Sequence, residues 1–158
     1  QRHTDGMKRL LLLLPLLMAP AAGHSKTTTL ICEASFTKAT GPHPQLAEIN
    51  NHFAQAGGTY HEIIIDPLTG SARVGSITDD TMEKLGFEPA QLLITDDSYM
   101  LHKTEAVGDS TTIDRWAINR VNADLIQKYE VDYGTENMKF KLTYKGKCTK
   151  KKPVKTLF

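Results

Sequence analysis

The sequence is poor in cysteine and tryptophan, since its 158 residues include only two cysteines and one tryptophan. No apolar run approaches the roughly 18 residues that a helix needs to cross a bilayer. Proline and glycine are not in excess, and no collagen-like or coiled-coil pattern is present. These absences argue against fibrous, disordered and multi-span membrane proteins. A chain of this length is most simply one domain.

The N-terminal region has the order of a sorting signal. Lys8 and Arg9 precede an apolar stretch of about ten residues, and small residues follow as far as Gly23. We therefore expect a signal peptide at residues 7–23, with residues 1–6 as upstream translation or a cloning remnant. The protein is expected to be exported, to the periplasm or the extracellular space, with no transmembrane segment in the mature chain.

The two cysteines stand near the two ends of the mature chain. An even cysteine count in an exported protein favours a disulfide between Cys32 and Cys148, with two buried free thiols as the alternative. Such a bond would close a loop of about 115 residues and stabilise the fold by about 4 to 5 kcal/mol in the chain-entropy model. The first and last strands should then be neighbours.

Short β-like runs separated by turn residues dominate the mature chain. They are rich in β-branched and aromatic residues and lie at residues 27–37, 59–66, 71–75, 91–95, 98–103, 111–120, 124–132 and 138–144. Helical spacing occurs at residues 46–53, before a glycine pair, and a short helix is conceivable at residues 80–85. The sequence predicts a mainly β domain over residues 24–149, as an antiparallel meander, small sandwich or barrel with one or two short helices. A basic tail, residues 150–158, follows.

Motifs for catalysis or cofactor binding are lacking. The sequence has no nucleophile elbow, phosphate-cradling glycine loop or dinucleotide fingerprint. Its histidines lack the close pairing of zinc ligands, and His61 is interpreted as a surface position of a strand. The doublets Asp79-Asp80 and Asp96-Asp97 are interpreted as turns, with calcium ligands as the alternative. We expect no cofactor and no metal.

The only tryptophan lies in a predicted strand with two arginines. Asp114, Trp116, Ile118 and Arg120 share one face of that strand. Trp116 is either a core residue with Arg120 at the rim, or the two form a ligand platform, because both residue types are enriched at binding hot spots.

Charge is strongly polarised along the mature chain. Residues 24–136 contain 8 basic and 17 acidic residues, whereas residues 137–158 contain 8 lysines and no acid. The lysines are either a protected edge strand with a solvated tail, or a contact for an anionic envelope surface, glycan or protein, with nucleic acid disfavoured. The candidate contact residues are Lys139, Lys141, Lys145, Lys147, Lys150, Lys151 and Lys152.

Several short motifs carry a resemblance. They are the turn IDPLTG at residues 65–70, INR at residues 118–120 and GKC at residues 146–148. With the signal peptide and Cys32, this layout resembles small uncharacterised exported bacterial β-proteins. The end-to-end cysteine pair is similar to that of periplasmic lysozyme inhibitors of the small β-barrel type, but their Ser-Gly inhibitory loop is not found, so inhibition is not implied.

Two functional hypotheses follow. The first is an exported, non-enzymatic β-domain that binds a partner or ligand, or associates with the envelope. The competing hypothesis is a small exported hydrolase whose site is assembled from scattered residues such as His61, His102 and the Asp doublets. A structure that brings these side chains into one cleft would favour the hydrolase.

Overall fold

The computed structural model describes residues 26–77 and 86–152. The predicted signal peptide, residues 1–6 and the possible helix at residues 80–85 lie outside the described residues. The same is true of the Asp79-Asp80 doublet and of residues 153–158 in the predicted tail.

The described residues form eight strands and one helix. In chain order they are β1 (Thr28–Thr40), α1 (Leu46–Ala56), β2 (Gly58–Asp66), β3 (Ser71–Ile77), β4 (Glu88–Ile94), β5 (Ser98–Val107), β6 (Ser110–Asn119), β7 (Asp124–Asp132) and β8 (Lys139–Lys150). The strand predictions are confirmed, although β1, β5 and β8 run several residues beyond their predicted ends and β4 begins three residues before its predicted start.

The strands form a closed antiparallel barrel in sequence order. Each strand pairs with the next one in the chain, and β8 returns to pair with β1. The mainly β prediction is confirmed, and of the three architectures considered the chain adopts the barrel. Because β8 has a neighbour on each side, it is not the edge strand that its lysines suggested.

Alternation along each strand separates the barrel interior from the outer wall. On β8 the lysines at positions 139, 141, 145 and 147 face outward, whereas Leu142, Tyr144 and Cys148 are buried. The apolar core lies inside the barrel and draws on every strand except β4, whose Ala90 and Leu92 are half-buried against it. Its buried members include Leu30, Ile63, Ile65, Ala72, Val74, Leu101, Trp116, Ile118, Leu125 and Leu142.

The disulfide closes the seam between the first and last strands. Cys32 and Cys148 are direct cross-strand partners, with an S–S distance of 2.09 Å. The predicted disulfide is confirmed, and both cysteines belong to the core.

Glycines allow the backbones to approach closely at this seam. A Cβ atom on Gly146 would lie 1.8 Å from the Glu33 carbonyl oxygen, and one on Gly58 would lie 2.4 Å from the Ala34 carbonyl oxygen. The backbone of β1 around Ala34 therefore lies unusually close to both β2 and β8. The register of the β1–β8 pairing shifts shortly afterwards, between Phe36 and Lys38.

Helix α1 packs beside the far end of β1. Its apolar residues Leu46, Ile49 and Phe53 pack against the core. The Asn50 side chain accepts a hydrogen bond from the Ala39 N–H at 2.7 Å and donates one to the Ala39 carbonyl at 3.3 Å. These contacts fasten the helix to β1, and the helix predicted from the spacing of the same residues is confirmed.

Within the described ranges, no helix is both long enough and apolar enough to span a membrane.

Candidate functional site

A polar network crosses the barrel interior. The Gln127 carboxamide on β7 lies at its centre, where its Oε1 accepts a hydrogen bond from Thr59 Oγ1 at 3.0 Å and lies 3.1 Å from His61 Nε2. Its Nε2 donates to both Asp114 carboxylate oxygens, at 3.0 and 3.2 Å. Because β2 and β7 are not neighbours in the barrel, the bonds from Gln127 to Thr59 and His61 reach across the interior, whereas those to Asp114 join the neighbouring strands β7 and β6.

The Asp114 carboxylate fixes the orientation of the whole network. An ionised carboxylate only accepts hydrogen bonds, so the Gln127 NH₂ group must face it and the Gln127 carbonyl must face His61. The His61 Nε2 atom must then carry the proton and donate. His61 Nδ1 is consequently an acceptor in the neutral ring.

Two buried polar atoms beside the network have no partner among the described residues. They are His61 Nδ1, an acceptor, and Trp116 Nε1, a donor. Their side chains are 6% and 2% exposed, and the two rings meet edge to face with centroids 5.8 Å apart. An unsatisfied buried polar atom costs free energy, so each of these two atoms would be stabilised by a further hydrogen-bonding group.

Burial shifts the pKa values of His61 and Asp114, the two titratable groups of the network. Desolvation lowers the pKa of His61 below its usual value, and the Gln127 hydrogen bond opposes this only in part, so the ring is neutral at pH 7. Desolvation also raises the pKa of Asp114 to about 6, against the opposing effects of Gln127 and Lys103. The carboxylate is therefore close to its titration midpoint in a mildly acidic compartment.

An acidic group of side chains continues from Asp114 toward the barrel wall. Lys103, the cross-strand partner of Asp114, forms ion pairs with Glu88 and with Glu105, the latter at 2.7 Å. One cation thus lies among three carboxyl groups. Glu88 and Glu105 are exposed, so this acidic group lies at the surface end of the network, where it favours an additional positive charge or a hydrogen-bond donor.

The barrel wall has a cleft beside Lys103. Strands β4 and β5 pair only as far as Gln91 and His102, so their other ends are not hydrogen-bonded to each other. Pro89, in the part of β4 that pairs with β3 but not with β5, has no N–H to donate. The resulting cleft has a volume of about 550 Å³ and is lined by Glu88, Pro89, Ala90, Gln91, His102, Lys103, Thr104 and Glu105.

Two tyrosines complete the interior next to Asp114. Burial raises the pKa of Tyr144 to about 12, and it also raises the pKa of Tyr129, with the negative charge of Asp114 acting in the same direction. Both phenols therefore remain protonated and polar but uncharged.

The lysines predicted to contact an anionic partner are largely paired with acids of the neighbouring strand. Lys139 pairs with Asp132 at 2.8 Å, Lys141 pairs with Glu130 at 2.9 Å, and Lys147 pairs with Asp124 at 3.4 Å. Lys151 reaches Glu62, a carboxyl group only 5% exposed, at 2.8 Å. In the described part of the chain, ion pairs are lacking for Lys145, Lys150 and Lys152.

Trp116 and Arg120 do not form one exposed platform. Trp116 is in the barrel core, whereas Arg120 follows the end of β6 and its guanidinium lies 5.2 Å from the Tyr99 ring centroid. Arg120 also donates to the Thr95 carbonyl at 2.6 Å, which ties it to the β4–β5 turn. Strand β6 ends before Arg120, so the alternation that placed both residues on one face no longer applies there.

The residues of the hydrolase hypothesis are dispersed. His61 faces the interior opposite Cys32, His102 lies on the outer wall, and Asp96-Asp97 forms the β4–β5 turn. The interpretation of His61 as a surface residue was wrong, because β2 turns His61, Ile63 and Ile65 inward together. Across residues 26–77 and 86–152, no three potential ligands are grouped to hold a metal ion.

Sequence reasoning did not identify Thr59, Gln127, Lys103 or Glu105 as site residues. One signal was available: Asp114 shares a strand face with Trp116, and a carboxylate on a core face needs a buried partner. Nothing in the local sequence marks Gln127, because its partners lie on β2 and β6.

No protein-family model, no curated protein and no solved structure matches this chain. The resemblance described above remains one of layout, and a functional interpretation has to come from the chain's own residues.

Proposed function

We propose that the chain is an exported, non-enzymatic binding protein that holds a small molecule in the polar part of its barrel interior. The observation that carries this proposal is that two rings in edge-to-face contact each have a buried polar atom without a partner among the described residues, Trp116 Nε1 and His61 Nδ1. An eight-stranded barrel has room inside for its own side chains or for one small ligand.

The chemistry of this pair defines the group it would bind. Trp116 offers a donor and neutral His61 offers an acceptor, so the complementary group both accepts and donates a hydrogen bond. A hydroxyl or a primary or secondary amide meets this requirement. Asp114 within the network, together with Glu105 and Glu88 around Lys103, favours a ligand that also carries a positive charge or further donors.

We place the ligand's entry at the β4–β5 cleft. Its inward-facing residue Lys103 is the cross-strand partner of Asp114, and Asp114 is bonded to Gln127 at the centre of the network. A ligand entering beside Lys103 would therefore meet the acidic residues first and the Trp116–His61 pair further inside.

Binding accounts for the geometry better than hydrolysis does. A hydrolase needs a nucleophile or activated water held by several converging side chains. His61 and His102 lie on opposite faces of the barrel wall, and His61 is engaged by Gln127. Export is supported by the N-terminal signal pattern and by the disulfide, which persists in oxidising compartments.

The single tryptophan provides a direct test. Trp116 contributes the only indole N–H of the chain, so its resonance in a ¹H–¹⁵N spectrum is unambiguous. Small alcohols, amides and amino alcohols would be screened for a downfield shift of this resonance, and their affinities measured by calorimetry. We expect Trp116→Phe to weaken binding about fivefold to tenfold, because it removes one hydrogen bond.

Ile118→Val is the matched control, since Ile118 is the next inward-facing core residue of β6 and carries no polar atom. It should leave the affinity unchanged. If no compound shifts the indole resonance, and native mass spectrometry of the exported protein shows the bare polypeptide mass, the pair holds only water and the proposal is overturned.

A further inference from the structure

A row of exposed apolar side chains crosses the outer wall of the barrel. Leu93, Met100, Ala117 and Ile126 are successive cross-strand partners on β4, β5, β6 and β7. Leu93, Met100 and Ile126 are 58%, 46% and 42% exposed, although exposed positions of a barrel wall are normally polar. Together with their neighbours they line a groove of about 540 Å³.

A second row, next to the first, is basic. His102, Arg115 and Lys128 are cross-strand partners on β5, β6 and β7, each two residues along its strand from the apolar row. Lys145 on β8 is the cross-strand partner of Ile126 and extends the apolar row with a cation. We call these two rows, with Lys145, the outer-wall patch.

The basic residues of the outer-wall patch repel one another and have few acidic partners. Arg115 and Lys128 are placed directly opposite each other, and like charges in that position destabilise a sheet. Arg115 reaches Glu130 at 2.6 Å, but Glu130 also serves Lys141 at 2.9 Å. Among the described residues, neither Lys128 nor Lys145 has an ion-pair partner.

We propose that the outer-wall patch docks onto an anionic lipid surface. Its apolar row would enter the boundary between headgroups and acyl chains, and its cations would lie at the phosphates. The apolar row is complementary to the acyl chains of such a surface, and the net positive row is complementary to its phosphates. This proposal does not depend on ligand binding inside the barrel.

The proposed contact with an anionic partner thus lies on the outer-wall patch, rather than on the full set of C-terminal lysines expected from the sequence. Three strand lysines named there are neutralised by Asp132, Glu130 and Asp124, which lowers their value for an external anion. Of the lysines without an ion-pair partner among the described residues, Lys128 and Lys145 are the ones that lie next to exposed apolar side chains. A second copy of the chain fits less well, because both copies would bring the same excess of cations to the interface.

Vesicle co-sedimentation tests the charge requirement. The disulfide-bonded exported protein should sediment with phosphatidylglycerol vesicles at low ionic strength and much less with phosphatidylcholine vesicles. We expect Lys128→Gln with Lys145→Gln to lower partitioning about fivefold per removed charge. Lys139→Gln with Lys147→Gln removes the same net charge from paired lysines and should have a clearly smaller effect.

The apolar row is tested by a second pair of variants. Leu93→Ser with Met100→Ser should reduce binding to phosphatidylglycerol at least tenfold, since each side chain loses most of its transfer free energy. Leu68→Ser with Val107→Ser alters two exposed apolar residues outside the patch and should leave binding unchanged. Circular dichroism would confirm that each variant is folded.

Several outcomes would overturn the proposal. They are equal binding to neutral and anionic vesicles, no binding to either at low ionic strength, and equal losses in test and control variants. Sedimentation velocity adds another: if the protein dimerises and Leu93→Ser with Met100→Ser abolishes the dimer, the face belongs to a second copy.

Discussion

Cys32 and Cys148 lie directly opposite each other where the first and last strands meet, with their Cα atoms 4.0 Å apart. The disulfide therefore joins two strands that already pair along most of their length. It connects residues 116 positions apart and so restricts the unfolded chain far more than it changes the folded one.

The disulfide should contribute to stability and little to shape. Replacing both cysteines by alanine is expected to lower the free energy of unfolding by about 4 kcal/mol, because the unfolded chain regains the entropy of a long open loop. Urea denaturation with and without reductant measures this. An oxidised protein no more stable than the variant would contradict the expectation.

Gly146 should be intolerant of even one methyl group. A Cβ atom at this position would overlap the Glu33 carbonyl oxygen across the β1–β8 seam. Since backbone atoms cannot rotate away, Gly146→Ala should destabilise the barrel by about 2 kcal/mol or more. Gly86→Ala is the control, because a Cβ atom there meets nothing within 4 Å. Comparable thermal midpoints for the two variants would refute this.

Asp114 should make the barrel less stable as the pH rises. Its pKa is about 6 in the folded protein against 3.8 for a free carboxyl, so the folded state binds this proton more tightly than the unfolded state. The resulting stability is fully present below about pH 4 and is lost as the pH rises through about 6. Asp114→Asn should therefore gain up to about 3 kcal/mol over the wild type between pH 4 and pH 7.

Urea denaturation across this pH range measures the effect. Asp132→Asn is the control of opposite sign, because the Lys139 hydrogen bond holds the pKa of Asp132 below its usual value. That substitution should cost stability at neutral pH and have little effect at acid pH. A pH-independent difference between Asp114→Asn and the wild type would show that burial does not raise this pKa.

Lys151 should behave as part of the barrel rather than as a tail residue. Its backbone N–H donates to the Thr29 carbonyl at 2.9 Å, and its ammonium reaches the buried Glu62 carboxyl. Lys151→Met keeps the apolar stem but removes this charge, and should lower the free energy of unfolding by about 1 to 3 kcal/mol. Lys152→Met, the adjacent exposed lysine, should have no effect in the same denaturation assay.

Much of the fold could be predicted because strand signals are local. Alternating apolar residues and intervening turns placed the strands, and the cysteine pair indicated that the ends meet. Closure into a barrel could not be chosen over a sandwich, because it depends on which strands pair at long range. The β1–β8 pairing joins residues more than a hundred positions apart and leaves no local pattern apart from the cysteines.

The site was harder to predict because it depends on which alternate residues of each strand face the barrel interior. The run His61 to Ile65 contains three consecutive isoleucines, so apolar alternation does not show which face is inside. The register resolves it by placing Ile63 opposite Leu30 and His61 opposite Cys32, which brings the histidine into the core. Asp114 was assigned to the correct face, yet its partner Gln127 could be identified only from the three-dimensional structure.

The acid–lysine pairs between β7 and β8 also govern which alignment of these strands can form. Asp124, Glu130 and Asp132 each face a lysine in the observed pairing, while Lys128 faces Thr143. Sliding β8 by two residues in either direction keeps the same faces inward but sets Lys128 against Lys141 or Lys145. The pattern therefore penalises the misaligned hairpins that hydrophobic alternation alone would permit, and it favours the observed alignment when the last strand closes the barrel.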